Sequence, residues 1–291
     1  MLSRPRQGRK IVYEAVPAKC DTVSVSSSEK SDTRTYIMEV ESRMRQHAAS
    51  NGLQAVILAA GKGQRLRPKG YLKPLTPLLG VTLLERVVLA CRDAGVSECI
   101  VVLGYGKEHV GERLDELAAR IDIAVRSVEN PHWQEGNGTS ALVAQPYVRG
   151  PFLLAMCDHV FNPAILHRLV NAGNGDAECL LAVDYRIEQV FRLDDATKVQ
   201  LTDGTITAIG KDLQSYAAVD TGLFFCQPES FDALQQARAA GEGSLSAGWR
   251  RLIPRRQFRA LDIGETFWID VDTPESLRYA EHVLRGRQAA E

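Results

Sequence analysis

The chain has 291 residues, with 35 Lys and Arg against 36 Asp and Glu, enough length for a sizeable core and no overall charge that would attract nucleic acid or an anionic membrane. Hydrophobic residues at 45% and charged residues at 24% exclude a chain that is disordered or fibrous throughout. Six scattered cysteines without a C-x-x-C pair argue against zinc and read as reduced thiols of a cytoplasmic protein.

Residues 1–50 show no sustained period and include a Ser/Thr-rich stretch at 22–35. They read as an N-terminal extension, in part disordered, with a short polar helix at 38–47. No apolar signal core follows the basic start, and runs such as 55–60 and 151–157 are far short of the roughly 18 residues a membrane span needs.

From Leu53 short apolar runs alternate with amphipathic segments, which predicts an α/β domain over 51–291 with a mainly parallel mixed sheet flanked by helices. The first buried strand, 54–59, ends in Gly61-Lys62-Gly63. A helix follows with Leu83, Leu84, Val87, Val88 and Cys91 on one face and Gly95 as its terminator. A strand at 99–103, a helix at 108–119, a strand at 123–128 and a short helix at 140–145 come next, then a buried strand at 152–157. Beyond it the pattern predicts a helix at 163–171, a strand at 180–184, and a hairpin of 198–201 and 205–209 around Thr202-Asp203-Gly204. A strand at 219–226, a helix at 231–240, a strand at 267–271 and a helix opening near Pro274 close the domain.

Chemistry concentrates at the strand ends. Small residues Ala59, Ala60, Gly61 and Gly63, with Lys62 and Gln64 between and after them, let backbone N–H groups ring a phosphate chain, and Arg65 and Lys73 add positive charge. The loop fits neither the Walker pattern nor the dinucleotide fingerprint, since Leu66 stands at the third Gly position. Asp158 follows an apolar strand, where open α/β sheets place ligands, and a carboxylate there suits Mg2+. Asp270 and Asp272 sit at a second strand end. Asp272 alone reads equally well as a helix cap before Pro274. Asn137 and Gly138 precede a short helix that Thr139 or Ser140 would cap. Lys198 and Lys211 flank the hairpin as point charges, and Asp184 and Asp220 offer acceptors for hydroxyls. His159, Trp249 and Trp268 read as packed side chains. The arginines at 250, 251, 255, 256 and 259 read as a solvated face or the contact of a homo-oligomer.

A-A-G-x-G-x-R-L followed by K-P-L resembles the nucleotidyltransferase superfamily, over Leu53 to Leu284. Gly136-Asn137-Gly138, Cys157-Asp158-His159-Val160, Ala196-Thr197-Lys198-Val199, Ile209-Gly210-Lys211-Asp212-Leu213 and Val219-Asp220-Thr221-Gly222 are similar in order and spacing to its CTP:inositol-1-phosphate cytidylyltransferases. Cys157, where Gly is expected, and the extension depart from that pattern. The resemblance implies a Rossmann-like nucleotidyltransferase fold and CMP transfer from CTP to inositol-1-phosphate, giving CDP-inositol and pyrophosphate. It implies Arg65, Lys73, Asp158 and Asp272 as catalytic residues, and Mg2+ on Asp158 and Asp272, with Asp270 the rival. Residues 59–65, Lys73, Asn137, Gly138 and Thr139 would bind the nucleotide, and Asp184, Lys198, Lys211 and Asp220 a phosphorylated polyol. A separate CDP-alcohol phosphotransferase is expected downstream. The rivals are another sugar-1-phosphate or phosphonate acceptor and a catalytically silent nucleotide sensor.

Overall fold

The computed structural model describes residues 52–288 except Gly70 and Asn174. The expected extension, its helix at 38–47 and Cys20 lie outside the described residues. In chain order, β1 (Gln54–Ala59) is followed by the small pair β2 (Pro77–Leu78) and β3 (Val81–Thr82), then α1 (Leu83–Asp93), β4 (Glu98–Leu103), α2 (Lys107–Ala118) and β5 (Ala124–Glu129). Next come α3 (Asn137–Ala144), β6 (Phe152–Met156), β7 (His159–Phe161), α4 (Ala164–Ala172) and β8 (Cys179–Asp184). The hairpin β9 (Lys198–Thr202) and β10 (Thr205–Gly210) leads into β11 (Ala218–Cys226), α5 (Ser230–Ala239) and α6 (Leu245–Leu252). The domain ends with β12 (Phe258–Asp262), β13 (Trp268–Asp270) and α7 (Pro274–Gln288).

Nine strands form one sheet in the order β5-β4-β1-β6-β11-β8-β12-β10-β9. Only β10 and β11 run against the other strands, so the sheet is mixed with a mainly parallel direction. Each buried strand divides its side chains between two cores. Ala55, Ile57 and Ala59 join Leu84, Val88, Leu114 and Leu166 on the face covered by α1, α2 and α4. Val56 and Leu58 join Ala141, Phe231, Leu234 and Trp249 under α3, α5 and α6. A third cluster around Leu66, Val160, Ile269, Val271 and Leu277 seats α7 beside the small β7–β13 pair. Among the described residues no helix is long and apolar enough to cross a membrane.

Local chemistry explains the ends of elements. Thr82 caps α1 by accepting the Glu85 N–H at 3.2 Å, and Gly95 ends it at φ +86. Asp203 and Gly204 both take positive φ at the β9–β10 turn, as a two-residue hairpin of the primed type requires. One expectation is corrected: α3 starts at Asn137, not at 140, and its N-cap is Gly136 without a side-chain cap bond, so neither Thr139 nor Ser140 caps it. β7, α6 and β12 were not anticipated. The five cysteines among the described residues are free and buried.

At the opposite end of the sheet from the loops, Glu98 accepts hydrogen bonds from Gln54 Nε2 (2.8 Å), Arg126 Nε (3.0 Å) and Arg149 Nη2 (2.6 Å). Burial opposes its charge, but Arg126, Gln54 and Arg149 outweigh that and hold its carboxyl below the usual range. A group whose folded pKa is depressed stabilises above its unfolded value, about 4.3 for Glu, and loses that contribution as pH falls through the folded one. Glu98→Gln is therefore expected to melt a few degrees below the wild type at pH 7. Calorimetry should show the gap narrowing as pH falls below the unfolded value; a gap that does not narrow at all down to the acid limit of folding would rule out the charge as its origin.

Candidate active site

β1 and β6 are parallel neighbours, so the loop after β1 and Asp158 after β6 emerge side by side at the carboxyl ends of the sheet. At Gly63, φ is +58 and a Cβ would collide with the Lys73 side chain. Glycine there lets Lys73, from a short turn at Lys73–Leu75, lie across the loop and point inward. Its Nζ contacts both Asp158 and Asp272 and stands 3.8 Å from Asp270 Oδ1. Arg65 pairs with the other oxygen of Asp272 and with Asp195.

Asp272 does not spend its carboxylate on capping α7, because its neighbours fill that role. Thr273 Oγ1 accepts the Ser276 N–H at 3.2 Å, while Ser276 Oγ accepts the N–H groups of Asp272 and Thr273, each at 3.0 Å. That exchange satisfies the start of α7 and leaves the Asp272 carboxylate for Lys73 and Arg65. Asp270 comes from β13, opposite His159 of β7. His159 Nδ1 donates to the Thr221 carbonyl at 2.6 Å, which turns Nε2 to within 3.9 Å of both Asp158 and Asp270.

Asp158, His159 and Asp270 each bring a donor atom within 4.8 Å of the others. Oδ1 of Asp158 and Oδ1 of Asp270 are enclosed and without a hydrogen-bond partner, although the Asp270 side chain as a whole is 42% exposed. Burial opposes charge throughout this cluster, yet Lys73, ringed by Asp158, Asp270 and Asp272, has its pKa raised. Asp158 is lowered, because Lys73 and His159 outweigh its desolvation. Asp270 behaves differently: burial, and then the charge of Asp158, push its carboxyl up to about 6.

Two cavities meet at these carboxylates. The first, about 680 Å3, is lined by residues 60–65, Lys73, Trp133, Gln134 and Ser140. The second, about 480 Å3, is lined by Asp184, Arg186, Arg192, Lys211, Asp220 and Trp268, among others. Asn137, Met156, Asp158 and Asp272 line both.

Most of the residues singled out in the sequence reach a cavity, and some do not. Ala59 is buried in the core, and Gly138 packs on the backbone of Ser244. Thr139 is buried with Oγ1 unpartnered, its N–H donating to the Gly243 carbonyl. Asn137 spends its side-chain carbonyl on the Leu245 N–H at 2.8 Å, tying α3 to α6. Lys198 is buried and donates to the Asp194 carbonyl at 3.2 Å, away from both cavity walls. Asp184 accepts from Arg186 and, at 2.8 Å, from Trp268 Nε1, so it anchors those two rather than standing open. Trp268 thus faces the second cavity, whereas Trp249 is core as expected. Asp220 accepts the Gly222 N–H at 2.7 Å, and burial pushes its carboxyl up to about 6. Trp133, Gln134, Arg186 and Arg192 were missed, being single residues in loops without a periodic or motif signal. Five aromatic side chains, Phe191, Phe224, Phe267, Trp268 and Tyr279, also line the second cavity; Phe191 and Tyr279 stack on each other at 5.0 Å instead of boxing a cation.

Residues 55–254 match the family described as MobA-like NTP transferase domain. The chain belongs to that family. It is a nucleotidyltransferase, as the resemblance read from the loop implied. Among curated relatives, the "Bifunctional IPC transferase and DIPP synthase" of Rubrobacter xylanophilus is 36% identical over 244 residues, covering 82% of this chain and 53% of that protein. The protein of the same name from Aquifex aeolicus is 31% identical over 232 residues, covering 79% of this chain and 51% of the relative. The nucleotidyltransferase chain therefore spans about half the length of these relatives. The structure of the inositol-1-phosphate CTP transferase from T. maritima matches with TM-score 0.71 at 24% identity, covering 78% of this chain and 93% of that one, a likeness of fold.

One transferase position is set by backbone sterics. Gly222 has φ +71, and a Cβ there would fall on the His159 ring. Gly222→Ala is expected to destabilise by about 2 kcal/mol from backbone strain alone and to displace His159 from the carboxylates. An unchanged melting temperature would show that position 222 accepts a side chain without backbone strain.

Proposed function

We propose that this domain transfers the CMP group of CTP to inositol-1-phosphate, giving CDP-inositol and pyrophosphate. The observation that carries it is the pair of cavities sharing Asp158 and Asp272, because a transfer between two bound substrates needs their reacting atoms at one junction. The choice of substrates is supported by the printed names of the relatives and of the T. maritima structure, and by the motifs from Gly136 to Gly222. The first cavity, with its small residues, Lys62, Arg65 and Lys73, takes the nucleotide. The second, with Arg186, Arg192, Lys211 and Asp220, takes a phosphorylated polyol.

The acceptor phosphate is already an oxyanion, so no covalent nucleophile is needed. One of its oxygens bonds to the α-phosphorus of CTP, the bond to the β-phosphate oxygen breaks in line, and pyrophosphate leaves. Lys73 neutralises charge at the α-phosphate and Arg65 at the departing pyrophosphate. Asp158 and Asp270 suit Mg2+, since each holds an enclosed oxygen without a hydrogen-bond partner; a bound ion would supply charge neutralisation at the phosphates. Both oxygens of Asp272 are taken by Lys73 and Arg65, so in this reading Asp272 positions those cations and Asp270 takes precedence as the second ligand.

Pyrophosphate release with Mg2+, each of the four triphosphates and a panel of acceptors tests the assignment. CTP with inositol-1-phosphate should give the highest kcat/KM. Faster turnover of glucose-1-phosphate or a phosphonate would transfer the acceptor assignment to that compound, and no release with any pair would remove the transfer itself.

A further inference from the structure

Arg65 and Arg192 converge on a single oxygen, Oδ2 of Asp195, the second of them at 3.0 Å. They arrive from different sides: Arg65 lines only the first cavity and Arg192 only the second. We propose that Asp195 is the resident counter-ion of a phosphate subsite, and that Arg192 grips the acceptor's phosphate once that phosphate displaces the carboxylate.

Three features support the exchange. The partners are 42 to 47% exposed, and ion pairs so solvated are weak and replaceable, whereas a phosphate offers each guanidinium a bidentate, charge-assisted bond. Arg192 is one of the few residues other than glycine with positive φ, +56. Its carbonyl accepts the Asp195 N–H at 3.0 Å, a tight turn that fixes the arginine beside its carboxylate; backbone strain held by such a turn is commonest where geometry serves a ligand. The carboxyl of Asp195 is itself held low by Arg65, against burial, with help from Arg192 and Lys211. An anion therefore finds Arg65 and Arg192 already drawn to one point, with Lys211 lining the same cavity as Arg192.

The inference rests on reading the second cavity as the acceptor site, so its test separates the two. Calorimetric titration of the full chain with inorganic phosphate is expected to show Asp195→Asn binding several-fold tighter than wild type. Arg192→Ala should bind about tenfold weaker, the loss of a charge-assisted contact, and Arg192→Lys should recover part of it. In pyrophosphate-release kinetics, Arg192→Ala should raise KM for the acceptor about tenfold and KM for CTP less than twofold. Equal phosphate affinity across wild type, Asp195→Asn and Arg192→Ala would overturn the subsite. A rise in KM for CTP instead would assign the clamp to the nucleotide's phosphates and overturn the acceptor role. If phosphate binding follows the expected order while inositol-1-phosphate is not turned over, the subsite stands and the substrate reading falls.

Discussion

Lys73→Met is expected to lower both the melting temperature and turnover, and to make stability depend on divalent cations. Lys73 is the cation shared by Asp158, Asp272 and Asp270, and its side chain is only 11% exposed. Removing one partner of a buried ion pair leaves uncompensated charge and costs about 3–5 kcal/mol. At roughly 2–4 °C per kcal/mol for a domain of this size, melting should fall by about 10 °C in chelator. Adding Mg2+ should restore part of it, since the three carboxylates then bind a cation in the folded state that the unfolded chain does not hold. Loss of a preorganised charge at the α-phosphate should lower kcat by about 10³-fold. A variant that melts like the wild type in chelator would show that the carboxylates are satisfied without the lysine.

Asp158→Asn should lower kcat by about 10³-fold or more, because it strips charge from a carboxylate that lines the junction, touches Lys73 and keeps an enclosed oxygen free for a cation. Melting should change little, since the amide keeps the shape and Lys73 retains Asp272. The same assay separates the other two carboxylates. Asp270→Asn should raise the Mg2+ concentration for half-maximal activity, while Asp272→Asn should lower kcat at saturating Mg2+ with that concentration little changed. The reverse pattern would restore Asp272 as the metal ligand and assign Asp270 a supporting role.

How far the sequence carried depended on the kind of signal. Buried strands such as Gln54–Ala59 and Glu98–Leu103 announce themselves by unbroken apolar runs, and Gly95 and Pro274 mark helix ends through backbone preferences alone. β12, with Arg259 and Asp262, and α6, with Gly248 and two arginines, carry weak patterns that their neighbours override; each is placed by packing on β8 and α5. The α3 boundary departs from the sequence pattern because Gly136 takes the cap position, which hydroxyl side chains generally favour. In the site, residues with a motif around them were legible: Arg65, Lys73, Asp158, Asp272. Roles that depend on a neighbour far along the chain were not. Nothing in residues 184–186 says that Asp184 is engaged by Trp268, 84 positions later, or in 192–195 that Asp195 meets Arg65.

The pairing of β7 with β13 ties the first half of the cluster to the last. Lys73 and Asp158 leave the ribosome long before Asp270 and Asp272, yet three acidic groups and one lysine make sense only together. During synthesis the early strands β1, β4 and β6 can associate as soon as they emerge, because their pairing needs nothing downstream. The lysine must wait with a single carboxylate until β13 arrives and α7 docks. The charge cluster is therefore completed only after the sheet, and a nascent chain halted just before β13 would hold all nine strands of that sheet without two of the carboxylates gathered around Lys73.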